Sequence, residues 1–240
     1  MRNRWLPLTA AALSMMLIGL YQYSWTIFAI PLQQELHATA TTIQLTFTIF
    51  TWVSTWTQPL VGLVADRRGP LRLNIFGGTI TGFGWVASAF ANAPETLYLT
   101  YGVGSVGVGT IYATAIGTAA RWFPDRRGLA TGIVIFGFGF GAAIFNPIIS
   151  WIISTLGLSL ALLYMGTAML LILVVLSLFS HYPPLETQPT WNPNTPTKME
   201  ETKQYSPKEM VKTHQWWLLY SAFILTANTG LMVVAQLTHM

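Results

Sequence analysis

The twelve Lys and Arg residues fall in four short stretches that alternate with long apolar segments. These stretches are residues 2–4, 67–72, 121–127 and 198–212, and the other three connections contain no Lys or Arg. Because positive residues are retained on the cytoplasmic side of a membrane, the pattern predicts a polytopic membrane protein with a cytoplasmic N-terminus. The loops near residues 35, 95 and 157 are then external.

The composition supports a membrane protein and argues against other classes. Only 8% of the residues are charged, whereas a soluble domain has about 25%. The net charge of +4 is accounted for by the cytoplasmic loops, so we expect no nucleic-acid partner. The chain has no Cys, and its four His have no metal-ligand spacing, so we expect neither a metal site nor a cofactor. Hydrolase and nucleotide-binding motifs are missing, so we do not expect an enzyme.

Seven segments are long enough to span a bilayer, which takes about 20 apolar residues. They are residues 5–30, 42–65, 73–91, 96–120, 129–153, 158–179 and 216–237. Backbone groups in lipid must bond within the segment, which favours helices. The sequence therefore predicts an all-α membrane protein.

The connection before the seventh segment divides the chain into domains. We predict a six-helix transmembrane bundle at 1–179, a Pro-rich cytoplasmic linker at 180–215 and a seventh transmembrane helix at 216–240. This arrangement has the form of half of a larger design, followed by the start of its second half.

Small residues recur every four positions in three of the segments. They are Gly78 and Gly82; Ser105, Gly109, Ala113 and Gly117; and Gly137 and Gly141. Such stripes let helix backbones approach closely in lipid. They suit static packing or a smooth surface on which helices rock, and the sequence does not separate these readings.

Two predicted cytoplasmic loops share the string Asp-Arg-Arg-Gly, at residues 66–69 and 125–128. An Asp beside two Arg and a Gly gives a tight turn with local ion pairs. This suits a latch between helices that separate and rejoin. The alternative is an ordinary positive loop with a Gly turn.

The first string extends to a longer motif at residues 62–69, Gly-x-x-x-Asp-Arg-Arg-Gly. It resembles the signature loop of the major facilitator superfamily, although Pro70 and Leu71 separate Gly69 from the next basic residue. The resemblance implies that Asp66 contacts a helix of the second half and stabilises the outward-facing state. The gating residues that we predict from the two strings are Gly62, Asp66, Arg67, Gly69, Asp125 and Arg127.

A closer resemblance covers residues 3 to about 236. Gln-Tyr-Ser-Trp-Thr at 22–26, Arg-Trp-Phe-Pro-Asp-Arg-Arg-Gly at 121–128 and Gly-Phe-Gly-Phe-Gly at 137–141 are similar to the oxalate/formate antiporter branch, a relative of the monocarboxylate transporters. The resemblance implies a substrate cavity lined by Gln22, Tyr23, Gln44, Tyr112 and Phe138. The branch's oxalate carrier has Tyr where this chain has Phe138, and the substrate-pairing cations of the family lie on later helices.

Residues inside the predicted second helix point independently to a polar stripe. Gln44 and Gln58 are about four turns apart and share a face with Thr48, Thr51 and Thr55. This stripe faces either a wet cavity or a partner helix. The first six apolar segments contain no charged residue well inside them, which argues against a proton relay in this half.

These observations predict secondary-active transport of a small organic anion by alternating access, in the cell membrane. The partners would be the anion, the lipid bilayer and either a second half-transporter or a second copy of the chain. The alternative is a non-transporting membrane fragment of a disrupted transporter gene. A retinal pump is disfavoured because residues 216–240 contain no Lys.

Overall fold

The regular elements in the described part of the chain are all α-helices, as expected for backbone that cannot hydrogen-bond to lipid. The computed structural model describes residues 4–184 and 207–236. The chain divides into two units, residues 1–183 and 184–240. The predicted fold class, an all-α membrane protein, is confirmed.

The first unit contains eight helical elements within residues 4–184. They are α1 (Trp5–Ile18), α2 (Leu20–Tyr23), α3 (Trp25–Glu35), α4 (Ala40–Arg68), α5 (Leu71–Ser88), α6 (Pro94–Trp122), α7 (Arg127–Leu156) and α8 (Leu158–Ser177). Most begin or end a few residues outside the predicted apolar cores. α4 begins at a side-chain cap, where Thr39 accepts a hydrogen bond from the Thr42 amide.

Four stretches of the described residues are long and apolar enough to cross a membrane by length and composition alone. They are Trp5–Tyr23, Pro94–Trp122, Arg127–Leu156 and Leu158–Ser177. The other predicted spans of this unit are more polar. The 29 residues of α4 include many Thr and Gln, and the 18 residues of α5 are rich in Gly. α4 packs against α6, and α5 packs against both α6 and α8. Close helix contacts therefore replace part of the apolar surface that lipid would otherwise require.

The predicted first span is a nearly continuous helix that consists of three consecutive segments, α1, α2 and α3. Its irregular points are Gly19 and Ser24, where the backbone stays close to helical angles. At the second point the Ile27 amide bonds to the Ser24 carbonyl, an i to i−3 bond that tightens the turn. Gly19 is needed because a Cβ there would strike the carbonyl of Phe138 on α7.

Small residues bring the helices of the bundle into close contact. α6 packs against α1, α4, α5 and α7. A Cβ added at Gly78 would lie 2.8 Å from the Leu173 side chain of α8, and one at Gly137 would lie 2.7 Å from the Ala12 carbonyl of α1. The glycine stripes therefore lie at helix contacts.

Helices α4 and α6 run in the same direction and in constant register. Near their starts, the Tyr98 hydroxyl donates to the Thr42 carbonyl, an offset of 56 residues. Near their ends, Arg121 pairs with Asp66, an offset of 55 residues. Subtracting 55 or 56 from the number of an α6 residue therefore gives the α4 residue at the same level.

The second unit contains α9 (Pro207–Met210) and α10 (His214–Gln236) among its described residues. The Trp217 indole N–H donates to the Val211 carbonyl at 2.9 Å, and the rings of Trp216 and Tyr220 stack at 4.8 Å. Most of the predicted linker lies outside the described residues. The domain boundaries at 1–179, 180–215 and 216–240 stay predictions.

Candidate functional site

Three of the five residues predicted to bind substrate form one aromatic group inside the first unit. The Phe138 ring of α7 meets Tyr23 of α2 at 5.5 Å and Tyr112 of α6 at 5.3 Å, both edge to face. Phe138 is 9% exposed, and both Tyr are half-buried. We call these three residues the aromatic trio.

Close contact between α1 and α7 sets the position of the trio. Gly137 and Gly141 of α7 face the backbone of α1 at Ala12 and Met16, and Gly19, between α1 and α2, faces the Phe138 carbonyl. Because no side chain separates these backbones, the Phe138 ring lies directly beside the short α2 helix that carries Tyr23.

The phenol groups of the trio can serve a ligand as hydrogen-bond donors. Among the described residues, the hydroxyls of Tyr23 and Tyr112 have no hydrogen-bond partner, in contrast to those of Tyr21 and Tyr101, which donate to backbone carbonyls at 2.7 and 2.8 Å. Gln22 is half-buried and adjacent to Tyr23. The trio therefore offers neutral donors around an aromatic surface.

A half-buried amide that was not among the predicted site residues, Asn146, supports the segment carrying Tyr23. The Ser24 hydroxyl donates to Asn146 Oδ1 at 2.5 Å, and Asn146 Nδ2 donates to the Tyr23 carbonyl at 3.4 Å. Asn146 lies in α7 just before Pro147. An Asn-Pro pair inside an apolar segment was the signal that could have identified it.

Gln44 lies beside the segment that carries Tyr23, and it is distant in level from Tyr112. Its Oε1 accepts a hydrogen bond from the Trp25 indole at 2.6 Å. From the α4–α6 register, Tyr112 is level with residue 57 of α4. Gln44 is therefore about 20 Å from that level along the helix axis, at 1.5 Å per residue. The half-buried Gln58 lies at the level of Tyr112 instead.

The first predicted gating loop contains a short ion pair. Arg121 Nη2 lies 2.6 Å from Asp66 Oδ1, and these side chains are 38% and 62% exposed. The Arg121 guanidinium also covers the Tyr182 ring at 4.0 Å. Burial raises the pKa of the Tyr182 phenol. Gly69 ends α4 with φ of 76°, a conformation that favours glycine.

The second gating loop contains a looser set of ion pairs. Asp125 lies 3.4 Å from Arg4 and 3.9 Å from Arg126, and Arg4 covers the Phe123 ring at 4.8 Å. Each Asp-Arg-Arg-Gly string thus pairs its Asp with an Arg of another segment, Arg121 or Arg4. Neither partner was among the predicted gating residues.

The remaining predicted gating residues lie at the surface of the first unit. Arg67 and Arg127 are exposed at the ends of α4 and α7. A Cβ at Gly62 would meet nothing within 4 Å, so packing inside this unit does not require a glycine there. In the described residues, no three His, Cys, Asp or Glu side chains are grouped as a metal ion would require.

Comparison with known proteins agrees with this helical architecture. The family profile described as the Major Facilitator Superfamily matches residues 9–239. The chain is 33% identical to an oxalate:formate antiporter of Oxalobacter formigenes over 98% of this chain and 54% of that protein. It is 33% identical to an uncharacterised 38 kDa protein encoded in a 23S RNA operon of Thermoproteus tenax, over 96% of this chain and 57% of that protein.

A third relative is a human protein, monocarboxylate transporter 14, which is 33% identical over 58% of this chain and 26% of its own length. The chain spans about half the length of the two microbial relatives. The profile match covers nearly all of the chain, and the helices include several apolar enough to span a bilayer. The chain is a multi-pass membrane protein that belongs to the major facilitator superfamily.

Proposed function

We propose that this chain contributes one bundle of a secondary transporter that moves a small organic anion of the oxalate, formate or monocarboxylate class by alternating access. The aromatic trio carries the proposal, because it gathers two partner-free phenol groups, from α2 and α6, around the Phe138 ring of α7 inside the bundle. The similarity to an oxalate:formate antiporter supports the substrate class. We further propose a cell-membrane location with a cytoplasmic N-terminus, from the distribution of Lys and Arg.

The chemistry of the trio suits one end of a carboxylate substrate. Carboxylate oxygens accept hydrogen bonds from phenol and amide groups, which Tyr23, Tyr112 and Gln22 can supply. Neutral donors alone do not offset the desolvation of an anion. The first six apolar segments contain no Lys or Arg well inside them, so a cation from a second bundle would complete the site.

The paired Asp residues support a role in conformational switching. We propose that Asp66 and Asp125 alternate between their Arg partners in this bundle and groups on an opposing bundle. Arg67, Arg127, Gly62 and Gly69 would lie at that moving surface. The partial exposure of Arg121 and Asp66 is consistent with such an exchange.

A chimera tests the proposal directly. Residues 1–240 would replace the corresponding part of the Oxalobacter antiporter, and proteoliposomes would be assayed for exchange of labelled oxalate. We expect saturable exchange by the chimera and none by residues 1–240 alone, because the substrate site of this fold lies between two bundles. Saturable exchange by residues 1–240 alone would overturn the one-bundle proposal and favour a homodimer.

Two phenylalanines of α7 provide a matched pair of variants. In the chimera, Phe138→Tyr adds a hydroxyl within the trio, whereas Phe136→Tyr adds one on an exposed position two residues away. We expect Phe138→Tyr to tighten oxalate binding by about 2- to 10-fold, the value of one neutral hydrogen bond, and Phe136→Tyr to have no effect. Equal effects of the two variants would refute the location of the site.

A further inference from the structure

A groove lies between the start of α1 and the start of α7, at the same end of the bundle as the ion-paired loops. Its lining includes two arginines, Arg4 and Arg126, and three apolar side chains, Trp5, Leu129 and Ile133. Trp5 packs edge-on against Phe123 at 5.1 Å. The groove therefore combines cationic donors with an apolar floor, and we call it the basic groove.

The arginines of the basic groove keep hydrogen-bonding capacity for an anion. Each guanidinium has five N–H donors, and their contacts to Asp125 are long, at 3.4 and 3.9 Å. The Arg126 side chain is 70% exposed. With Asp125 counted, this corner still has a net positive charge, and the exposed Arg127 adds to it.

An apolar track leads away from the basic groove along α7. Leu129, Ile133, Phe136 and Phe140 recur at helical spacing and are all exposed, and the last two rings stack at 4.9 Å. The track runs over 12 residues, and its ends are about 16 Å apart along the helix. This distance is close to the depth of one leaflet of a hydrocarbon core about 30 Å thick. At 100° per residue, the track lies on the side of α7 roughly opposite to Phe138, so it does not face the aromatic trio.

We propose that the basic groove binds an anionic phospholipid of the cytoplasmic leaflet. The lipid phosphodiester accepts hydrogen bonds from Arg4 and Arg126, and one acyl chain lies along the track that starts at Leu129. Basic pockets between helices on the cytoplasmic side suit such headgroups, and Trp prefers the membrane interface, as Trp5 would here. The inference rests on the proposed topology but is independent of the transported substrate.

Lipid titration of the purified 240-residue chain tests this site. The delipidated chain in neutral detergent would be titrated with dioleoyl-phosphatidylglycerol or dioleoyl-phosphatidylcholine, and bound lipids would be counted by native mass spectrometry. We expect preferential binding of phosphatidylglycerol and a loss of about 30-fold in affinity for the Arg4→Gln/Arg126→Gln variant. The matched control, Arg68→Gln/Arg72→Gln, removes the same charge elsewhere and should lose less than 3-fold.

Two further measurements separate this site from general attraction to anions. Inorganic phosphate at 10 mM should not displace phosphatidylglycerol, because it lacks the acyl chain; displacement would overturn the proposal. Asp125→Asn should tighten phosphatidylglycerol binding by removing the carboxylate that competes for both arginines, whereas Asp66→Asn should not. Equal effects of the two Asp variants on phosphatidylglycerol binding would also overturn the proposal, as would equal losses of affinity in the two double Arg variants. If the Arg variants fail to fold, the comparison of Asp125→Asn with Asp66→Asn decides whether the proposal holds.

Discussion

Replacing Gly137 with Ala should separate α1 from α7 and destabilise the first unit. The new Cβ would lie 2.7 Å from the Ala12 backbone carbonyl. Because the struck atom belongs to the backbone, no change of rotamer can relieve the clash. Gly139 provides a matched control on the same helix, since a Cβ there would meet nothing within 4 Å.

The change in unfolding free energy caused by Gly137→Ala is the difference between an overpacking cost and a gain in helix propensity. Ordinary contact begins at 3.4 Å, so at Gly137 the helices must move apart by about 0.7 Å. Overpacking of this kind costs about 1–3 kcal/mol, and the better helix propensity of Ala returns about 0.5–1 kcal/mol. We therefore expect Gly137→Ala to lower the unfolding free energy by about 0.5–2 kcal/mol and Gly139→Ala to raise it slightly.

Reversible unfolding in mixed micelles measures this difference. The purified variants would be titrated with sodium dodecyl sulfate, and unfolding followed by the fluorescence of buried Trp residues such as Trp25 and Trp85. Gly141→Ala should be less stable than Gly137→Ala, because its Cβ would lie closer still to the α1 backbone. If Gly137→Ala proved as stable as Gly139→Ala, the close approach of α1 and α7 would be refuted.

Three other properties can be checked in the same chain. Asp66→Asn and Arg121→Gln should each cost about 0.2–1 kcal/mol, and the double variant should cost no more than the larger single loss; full additivity would contradict the ion pair. In this Cys-free chain, a Cys at Glu35 but not at Arg68 should react with an impermeant maleimide from outside, and external labelling at residue 68 would reverse the topology. Burial raises the pKa of the Tyr182 phenol above its ordinary value of 10.0. The stability that the neutral phenol contributes should therefore be present below pH 10.0 and decrease as the pH rises above 10.0. Tyr182→Phe should remove this alkaline loss of stability from the melting curve.

The helices were predictable from sequence because one physical requirement dominates them. Lipid allows a backbone to cross only when its groups bond internally, so long apolar segments form helices. The irregular points of the first span were not predicted. Gly19 fits an ordinary apolar segment in sequence, and its importance comes from the Phe138 carbonyl, 119 residues away, which leaves no room for a side chain. The length of an apolar segment gives no information about its contacts with segments that are distant in sequence.

Axial position decides which of the predicted cavity residues lie at the same level of the bundle. Helical periodicity gives the angle of a side chain around its axis, and Gln44 and Gln58 do share a face. Periodicity gives no information about the position of a residue along the bundle axis. That position depends on where each helix starts and on its register with its neighbours. The α4–α6 register puts Gln58, not Gln44, level with Tyr112. In this conformation Gln44 holds Trp25, two residues from Tyr23, and Gln58 is the α4 amide nearest in level to Tyr112.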